Sequence, residues 1–149
     1  MAYLLDTNIL VRLANTTDAR NPVAAYAVAE LHRLGEALHV TPQNLIEFWN
    51  VATRPVSVNG LGMSATETEQ KVSDFENEFP LLPDTPGVYS VWKALVHAVG
   101  VMGKRVHDAR LVAICHVHGI THLLTFNVAD FTPLVGFGPG LMVVDPATV

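Results

Sequence analysis

Charge is scarce in this chain of 149 residues: Asp, Glu, Lys and Arg make up 15% of it, while 50% is apolar. A chain of this length and composition can bury its own core, which excludes intrinsic disorder. Cysteine is almost missing. Cys115 stands alone, so no intrachain bridge can form and a reducing compartment fits best. A basic leader is missing as well: Met-Ala-Tyr-Leu-Leu runs into Asp6 before an apolar stretch develops, which argues against a signal peptide and for a cytoplasmic protein. There are no internal repeats and no low-complexity linker. The Pro/Gly-rich segments 54–62, 79–87 and 133–140 are dispersed as loops, so residues 1–149 read as one domain. The longest uncharged stretch, 111–129, would be long enough to span a membrane. It contains His116, His118, Gly119, His122, Thr125 and Asn127, so it reads instead as a buried helix, a turn and a buried strand.

What is present alternates between strand and helix. Tyr3 to Leu5 is an apolar strand ending in Asp6, and a helix follows from about Asn8. Pro22 opens a second helix that stops at Gly35, and residues 38–40 form a second strand. Thr41-Pro42 starts a helix to about Thr53, Ser64 and Glu67 form a capping box, and Pro86 and Gly100 bracket another helix. Residues 108–118 are helical up to Gly119. Residues 122–125 and 141–144 are short strands. The alternation predicts an α/β fold, a mostly parallel sheet covered on both faces, with ligands beyond the carboxyl ends of its strands.

Four acids lie in apolar surroundings, where an unpaired carboxylate is costly and marks a candidate site. Asp6 ends the first strand, Glu47 sits within Leu45-Ile46-Glu47-Phe48-Trp49, Asp108 precedes Ala109 and Leu111, and Asp130 follows the strand at 122–125. Each has a structural alternative. Asp6 and Asp108 stand where helix N-caps stand, Glu47 shares a stripe with Asn50 and Arg54, and Asp130 could serve a turn. Strand-end acids gathered at one sheet edge would repel one another unless a hard divalent cation were present. Oxygen-only donors favour Mg²⁺, with Mn²⁺ as the alternative ion, and such sites hydrolyse phosphate esters.

These residues, in this order, are similar to those of the PIN domain family, in particular its VapC-like toxins. Leu5-Asp6-Thr7-Asn8-Ile9-Leu10 resembles the family's opening strand and first acid. Asn44, Glu47 and Asn50 after Thr41-Pro42 resemble the second, Val106-His107-Asp108-Ala109-Arg110-Leu111 the third, and 124–131 the fourth. Arg54-Pro55 with Asn59-Gly60-Leu61-Gly62 is similar to a loop of one group of these toxins. The resemblance implies a three-layer α/β/α sandwich and a Mg²⁺-dependent endoribonuclease, the toxin of a toxin–antitoxin pair. It implies Asp6, Glu47 and Asp108 as metal ligands or water-positioning groups, with Thr7, Asn8 and Thr125 orienting them. It also implies an RNA substrate, a homodimer and a cognate antitoxin that inserts a segment into the active-site groove. One departure stands out. Many PIN domains carry an acid where this chain has Asn127, with Asp130 three residues later, so a second metal would bind less strongly.

Other readings remain open. A PIN-like module could bind RNA or protein without cutting, and the same acids could serve a metal-dependent phosphatase or DNA nuclease. Asp6-Thr7-Asn8 is similar to the Asp-x-Asp opening of haloacid-dehalogenase-type phosphatases but lacks the second Asp. The glycine-rich 136–140 reads as a loop because Pro139 and the strand after it do not suit a nucleotide-binding turn. His116, His118 and His122 read as scattered structural histidines and Cys115 as an inert buried thiol. Phe48, Trp49, Leu61, Met63 and Trp92 are candidate interface residues.

The net charge of −5, from 14 acids against nine Lys and Arg, argues at first against a nucleic-acid partner. Residues 67–84 hold six of the acids and one base, Lys71, so the remaining chain, with eight of each, is neutral. That acidic segment is expected away from any substrate. Arg12, Arg54, Lys104, Arg105 and Arg110 lie near the candidate acids in sequence and are candidate RNA-phosphate contacts, though as ordinary surface charges they need do nothing specific.

Overall fold

The computed structural model describes residues 1–138 and 140–149. Pro139, on which the loop reading of 136–140 rests, falls outside the described residues. Four strands, β1 (Ala2–Leu5), β2 (Ala37–His39), β3 (His122–Leu124) and β4 (Met142–Val144), form one sheet in the order β2-β1-β3-β4, every pairing parallel. Parallel strands are joined by crossovers and need cover on both faces. Alternation along β1 provides for this: Tyr3 and Leu5 point into one apolar cluster and Leu4 into the other. Helices α1 (Thr7–Ala14), α2 (Asn21–Arg33), α3 (Pro42–Thr53) and α4 (Ala65–Glu78) supply the first cluster. Helices α5 (Gly87–Val99), α6 (Arg105–His118) and α7 (Val128–Phe131) supply the second. The result is the expected α/β/α sandwich.

The helix boundaries follow local chemistry. Thr41 and Asn44 close a capping box on α3, and Ser64 and Glu67 close one on α4, each satisfying otherwise orphaned amides. Gly100 ends α5 with φ of 74° and Gly119 ends α6 with φ of 68°, a left-handed conformation that favours glycine. Beyond α3 the chain folds back on itself: the Gly60 and Gly62 amides donate to the Pro55 and Arg54 carbonyls. A Cβ on Gly60 would sit 1.9 Å from the Arg54 carbonyl oxygen, so this turn excludes any larger residue.

One expectation is corrected and two of the structural alternatives fall. Phe48 is fully buried between α3 and α4, edge-on to Phe75, and Leu61 and Met63 pack on the same core; the apolar face left for a partner is smaller than the sequence suggested. Asp108 does not cap its helix, because α6 begins at Arg105, directly after Gly103 and Lys104. The expected turn at Asp130 is the short helix α7. Cys115 is buried in α6, and burial pushes its thiol well up, as expected of an inert cysteine. Among the described residues no helix is long and apolar enough to cross a membrane.

Candidate functional site

The register between β1 and β3 pairs Leu5 with Leu124, which puts the next residues, Asp6 and Thr125, side by side at the carboxyl edge of the sheet. From β1 the chain goes on to β2 on one side, and from its neighbour β3 it goes on to β4 on the opposite side, so β1 and β3 flank the switch point where an α/β sheet opens a crevice. The Asp6 amide donates to the Leu124 carbonyl at 3.0 Å. Its Oδ1 accepts from the Thr7 amide at 2.7 Å and caps α1, and its Oδ2 accepts from the Thr125 hydroxyl at 2.7 Å. Thr125 Oγ1 in turn accepts from Asn8 Nδ2 at 3.1 Å and the Asn127 amide at 3.0 Å. With both lone pairs used, its hydroxyl proton can only go to Asp6. The Asn8 Oδ1 closes the ring by accepting from the Phe126 amide at 3.3 Å.

Glu47 approaches from α3. Its Oε2 accepts from the Thr7 hydroxyl at 3.0 Å and its Oε1 from Gln43 Nε2 at 2.7 Å, while Asn44 Nδ2 donates to Thr7 Oγ1 at 3.3 Å. Consecutive residues therefore serve two acids: Asp6 is one carboxylate, and the Thr7 hydroxyl holds the other. Asp108 enters from the first turn of α6, and its side chain, not spent on capping, faces the cavity.

Two connected openings share Glu47, Asp108 and Asn127. A recess of about 250 Å³ contains Asp6, Thr7, Asn8 and Arg12, and it opens into a groove of about 1030 Å³ lined also by Gln43, Asp84, Lys104, Arg105, Arg110 and Asp130. Asp6, Glu47, Asp108, Asn127 and Asp130, far apart in sequence, thus converge on one crevice. Arg54 does not: seven residues beyond Glu47, roughly 10 Å along α3, it lines neither opening. Asp84 was expected away from the site with the acids of 67–84, yet it lines the groove and pairs with Arg110 at 2.8 Å. The other five acids of that segment, on α4, line neither opening.

The electrostatics record the crowding. Burial pushes the Asp6 carboxyl from 3.8 up to about 7; the bonds from Thr125 and Thr7 oppose the rise, and the charges of Asp108 and Glu47 add to it. Asp108 is raised by burial, then by Asp130 and Glu47, with Arg105 and His107 pulling the other way. Among the described residues no three His, Cys, Asp or Glu side chains close up into a ready-made metal cage. Mg²⁺ does not require one, since it keeps several waters and is held through one or two carboxylates. Three mutually repelling carboxylates with oxygen donors and open space between them fit such an ion. Two of the clustered histidines are engaged elsewhere: His118 bonds the Pro83 carbonyl at 2.9 Å and His122 stacks on Tyr3.

The proposed basic contacts divide. Lys104 is exposed on the groove, and Arg105 lines it while donating to the Asp130 carbonyl. Arg12 sits in the recess, 3.5 Å from Asp18. Arg110 is committed to Asp84 and to Gln43. Sequence reading missed Gln43, although its place four residues before Glu47 on one helix face was a usable signal. Beyond Arg110, a second recess of about 520 Å³ is lined by Tyr89, Trp92 and Val106, with the Trp92 indole N–H fixed on the Val106 carbonyl at 2.8 Å.

Comparison with known proteins agrees with this architecture. Among solved structures, a VapBC2 complex from Rickettsia felis bound to a promoter DNA fragment matches with a TM-score of 0.71 and 17% identity, covering 97% of this chain and 98% of that one. A toxin–antitoxin complex from Klebsiella pneumoniae matches with a TM-score of 0.65 and 22% identity, covering 97% of each. VapC20 from Mycobacterium tuberculosis, described as a sarcin–ricin loop cleaving toxin, matches with a TM-score of 0.59 and 17% identity over 81% of this chain and 86% of that one. At these identities the likeness is one of fold. No curated protein matches the chain by sequence. The PIN domain family model matches residues 3–131, nearly the full length that carries the sheet edge and its acids, and the chain belongs to the PIN domain family.

Proposed function

We propose that this protein is a divalent-cation-dependent endoribonuclease, the toxin of a cytoplasmic toxin–antitoxin pair, which hydrolyses RNA phosphodiester bonds in the crevice at the carboxyl edge of the sheet. The observation that carries this reading is the convergence of Asp6, Glu47 and Asp108 from β1, α3 and α6 on one recess, with their mutual repulsion visible in Asp6 and Asp108. Such an arrangement is costly without a cation. The description of VapC20 as a toxin that cleaves the sarcin–ricin loop, and of other similar structures as toxin–antitoxin complexes, supports RNA as the substrate and an antitoxin as the partner. A homodimer is part of the same reading.

Asp6, Glu47 and Asp108 would hold Mg²⁺ or Mn²⁺, which supplies polarisation of a phosphoryl oxygen and a more acidic attacking water. The chain's own groups do the rest. Glu47, held at both oxygens by Thr7 and Gln43 where it lines the recess, would orient the attacking water. Thr125 and Asn8 hold Asp6 in place. Lys104 and Arg105 meet flanking phosphates, while Asn127 and Asp130 line the far wall and supply one charge rather than two.

The test is cleavage of a structured RNA by the purified chain, with single-stranded and duplex DNA in parallel, under Mg²⁺ and then with excess chelator. RNA should be cut with Mg²⁺, cutting should stop with chelator, and Asp108→Asn should lower the rate by about 100-fold or more with the fold retained. No cleavage of RNA by antitoxin-free protein with Mg²⁺ would overturn the ribonuclease reading, and cleavage of DNA alone would reassign the substrate.

A further inference from the structure

Among the described residues, Glu47 is the one of the three acids whose geometry depends on a chain of side chains reaching the outer rim of the groove. Gln43 Nε2 donates to Glu47 Oε1 at 2.7 Å and to the His107 carbonyl at 2.8 Å, and Gln43 Oε1 accepts from Arg110 Nη1 at 2.9 Å. The Gln43 amide is thereby fixed in orientation. Turned over, it would set its oxygen against a carboxylate and a carbonyl and its NH₂ against a guanidinium. Arg110 Nη2 is held by Asp84 Oδ1 at 2.8 Å, and Asp84 stands on the loop after α4, which Val40 anchors by accepting from the Leu82 amide at 2.8 Å. The sequence Asp84–Arg110–Gln43–Glu47 is continuous, with donors and acceptors matched at every link.

We propose that Gln43 is a positioning residue for Glu47, and that the Arg110–Asp84 pair sets Gln43 rather than binding substrate. The pair has a second consequence. Arg110 is a cation bordering a cluster of acids, and unrestrained it could swing onto Glu47 or Asp108 and neutralise the charge a divalent ion needs. Asp84 retains it at the rim. An acid outside the cluster thus helps keep the cluster negative, and Arg110 acts on Glu47 only through a neutral amide. This inference rests on the metal-centre reading of the site.

The test separates the two. Mn²⁺ binding to the full chain is measured by calorimetry for the wild type, Gln43→Leu, Glu47→Gln and the double variant, alongside side-chain amide NMR of Gln43. Gln43→Leu should weaken Mn²⁺ binding by about 10- to 100-fold, as loss of a ligand-orienting group does. The double variant should bind no worse than Glu47→Gln, because without the carboxylate Gln43 has nothing to position. Asp84→Asn should weaken binding in the same direction, and adding Arg110→Leu to it should restore part of the loss. Additive effects of Gln43→Leu and Glu47→Gln, or unchanged binding in Gln43→Leu, would overturn the proposal. If the wild type binds no Mn²⁺, the metal-centre reading fails, and the NMR decides the positioning role. Gln43 amide protons that shift in both Glu47→Gln and Arg110→Leu support it, and protons that do not shift refute it.

Discussion

Asp6 should make the metal-free protein less stable as the pH rises, and Asp6→Asn should remove most of that loss. The carboxyl is 6% exposed and is pushed from 3.8 to about 7 by burial first. An acid whose folded-state value is raised binds more protons folded than unfolded, so its contribution is fully present below about pH 4 and lost as the pH rises through about 7. The displacement from 3.8 to about 7 corresponds to about 4 kcal/mol, or roughly 8–16 °C in Tm for a chain of this size. Burial lowers His116 and His122, which acts with the opposite sign, since these groups must charge on unfolding at acid pH. The difference between wild type and Asp6→Asn cancels their part.

The variant has its own cost. Thr125 Oγ1 already accepts from Asn8 and the Asn127 amide, so an Asn at position 6 leaves the Thr125 hydroxyl proton without its acceptor, a loss of about 1 kcal/mol. In urea denaturation with chelator, Asp6→Asn should therefore be slightly less stable than wild type at about pH 3.5, where the carboxyl is still protonated in both states, and more stable at pH 8. Mg²⁺ at about 1,000 times its Kd should reverse the order at pH 8, because it adds about 4.1 kcal/mol to the wild type, more than the roughly 3 kcal/mol by which the variant otherwise leads. Equal pH dependence in the two proteins, or equal stabilisation by Mg²⁺, would refute the reasoning that places Asp6 buried, strained by its neighbours and relieved by a cation.

Two further outcomes follow from the same geometry. Asn127→Asp adds a carboxylate to the wall shared by both openings, so calorimetry should give an Mn²⁺ Kd about tenfold lower, or about 1.4 kcal/mol, while the metal-free protein loses stability above pH 7. Phe48→Ala empties the fully buried site between α3 and α4 and should cost about 3–5 kcal/mol, read as a Tm lower by roughly 6–20 °C; a change under 1 kcal/mol would mean that the α3–α4 core is looser than its packing indicates.

The readable parts of the sequence were those governed by local chemistry. Thr41-Pro42, the capping box of Ser64 and Glu67, Pro86, and the stops at Gly100 and Gly119 placed α3 to α6 within a few residues. Asp6 was legible as a site residue because an acid ending an apolar strand has few reasons to be there, and its capping of α1 is an additional duty rather than a rival explanation. What was not legible depended on distance. The Asp84–Arg110 pair joins residues 26 apart, and nothing in the acidic run of 67–84 marks its last member as different from the five that point into solvent from α4. Phe48 looked available for a partner because it lies in the apolar run 45–49, in which the sequence does not separate the exposed Ile46 and Trp49 from the buried Phe48. Only the position of α4, whose Phe75 meets it edge-on, makes it core. A cap stood open as the alternative for Asp108 because the helix start was placed three residues late; Gly103 and Lys104 initiate α6 without a side-chain cap, and a start of that kind leaves little trace in sequence.

The net charge of −5 bears on function only once each charge has a place. The acids of α4 lie outside both openings, so their contribution at the crevice is screened beyond a Debye length of about 8 Å at physiological salt. At the crevice itself, Asp6, Glu47, Asp108 and Asp130 face Lys104 and Arg105, while Arg12 is paired with Asp18 and Arg110 with Asp84. Without an ion this surface is negative and repels phosphate; one divalent cation offsets the surplus of four acids over two bases. The metal would then act before any chemistry, as the condition for an acidic protein to admit RNA, and the salt dependence of RNA binding should be steep with Mg²⁺ and shallow without it.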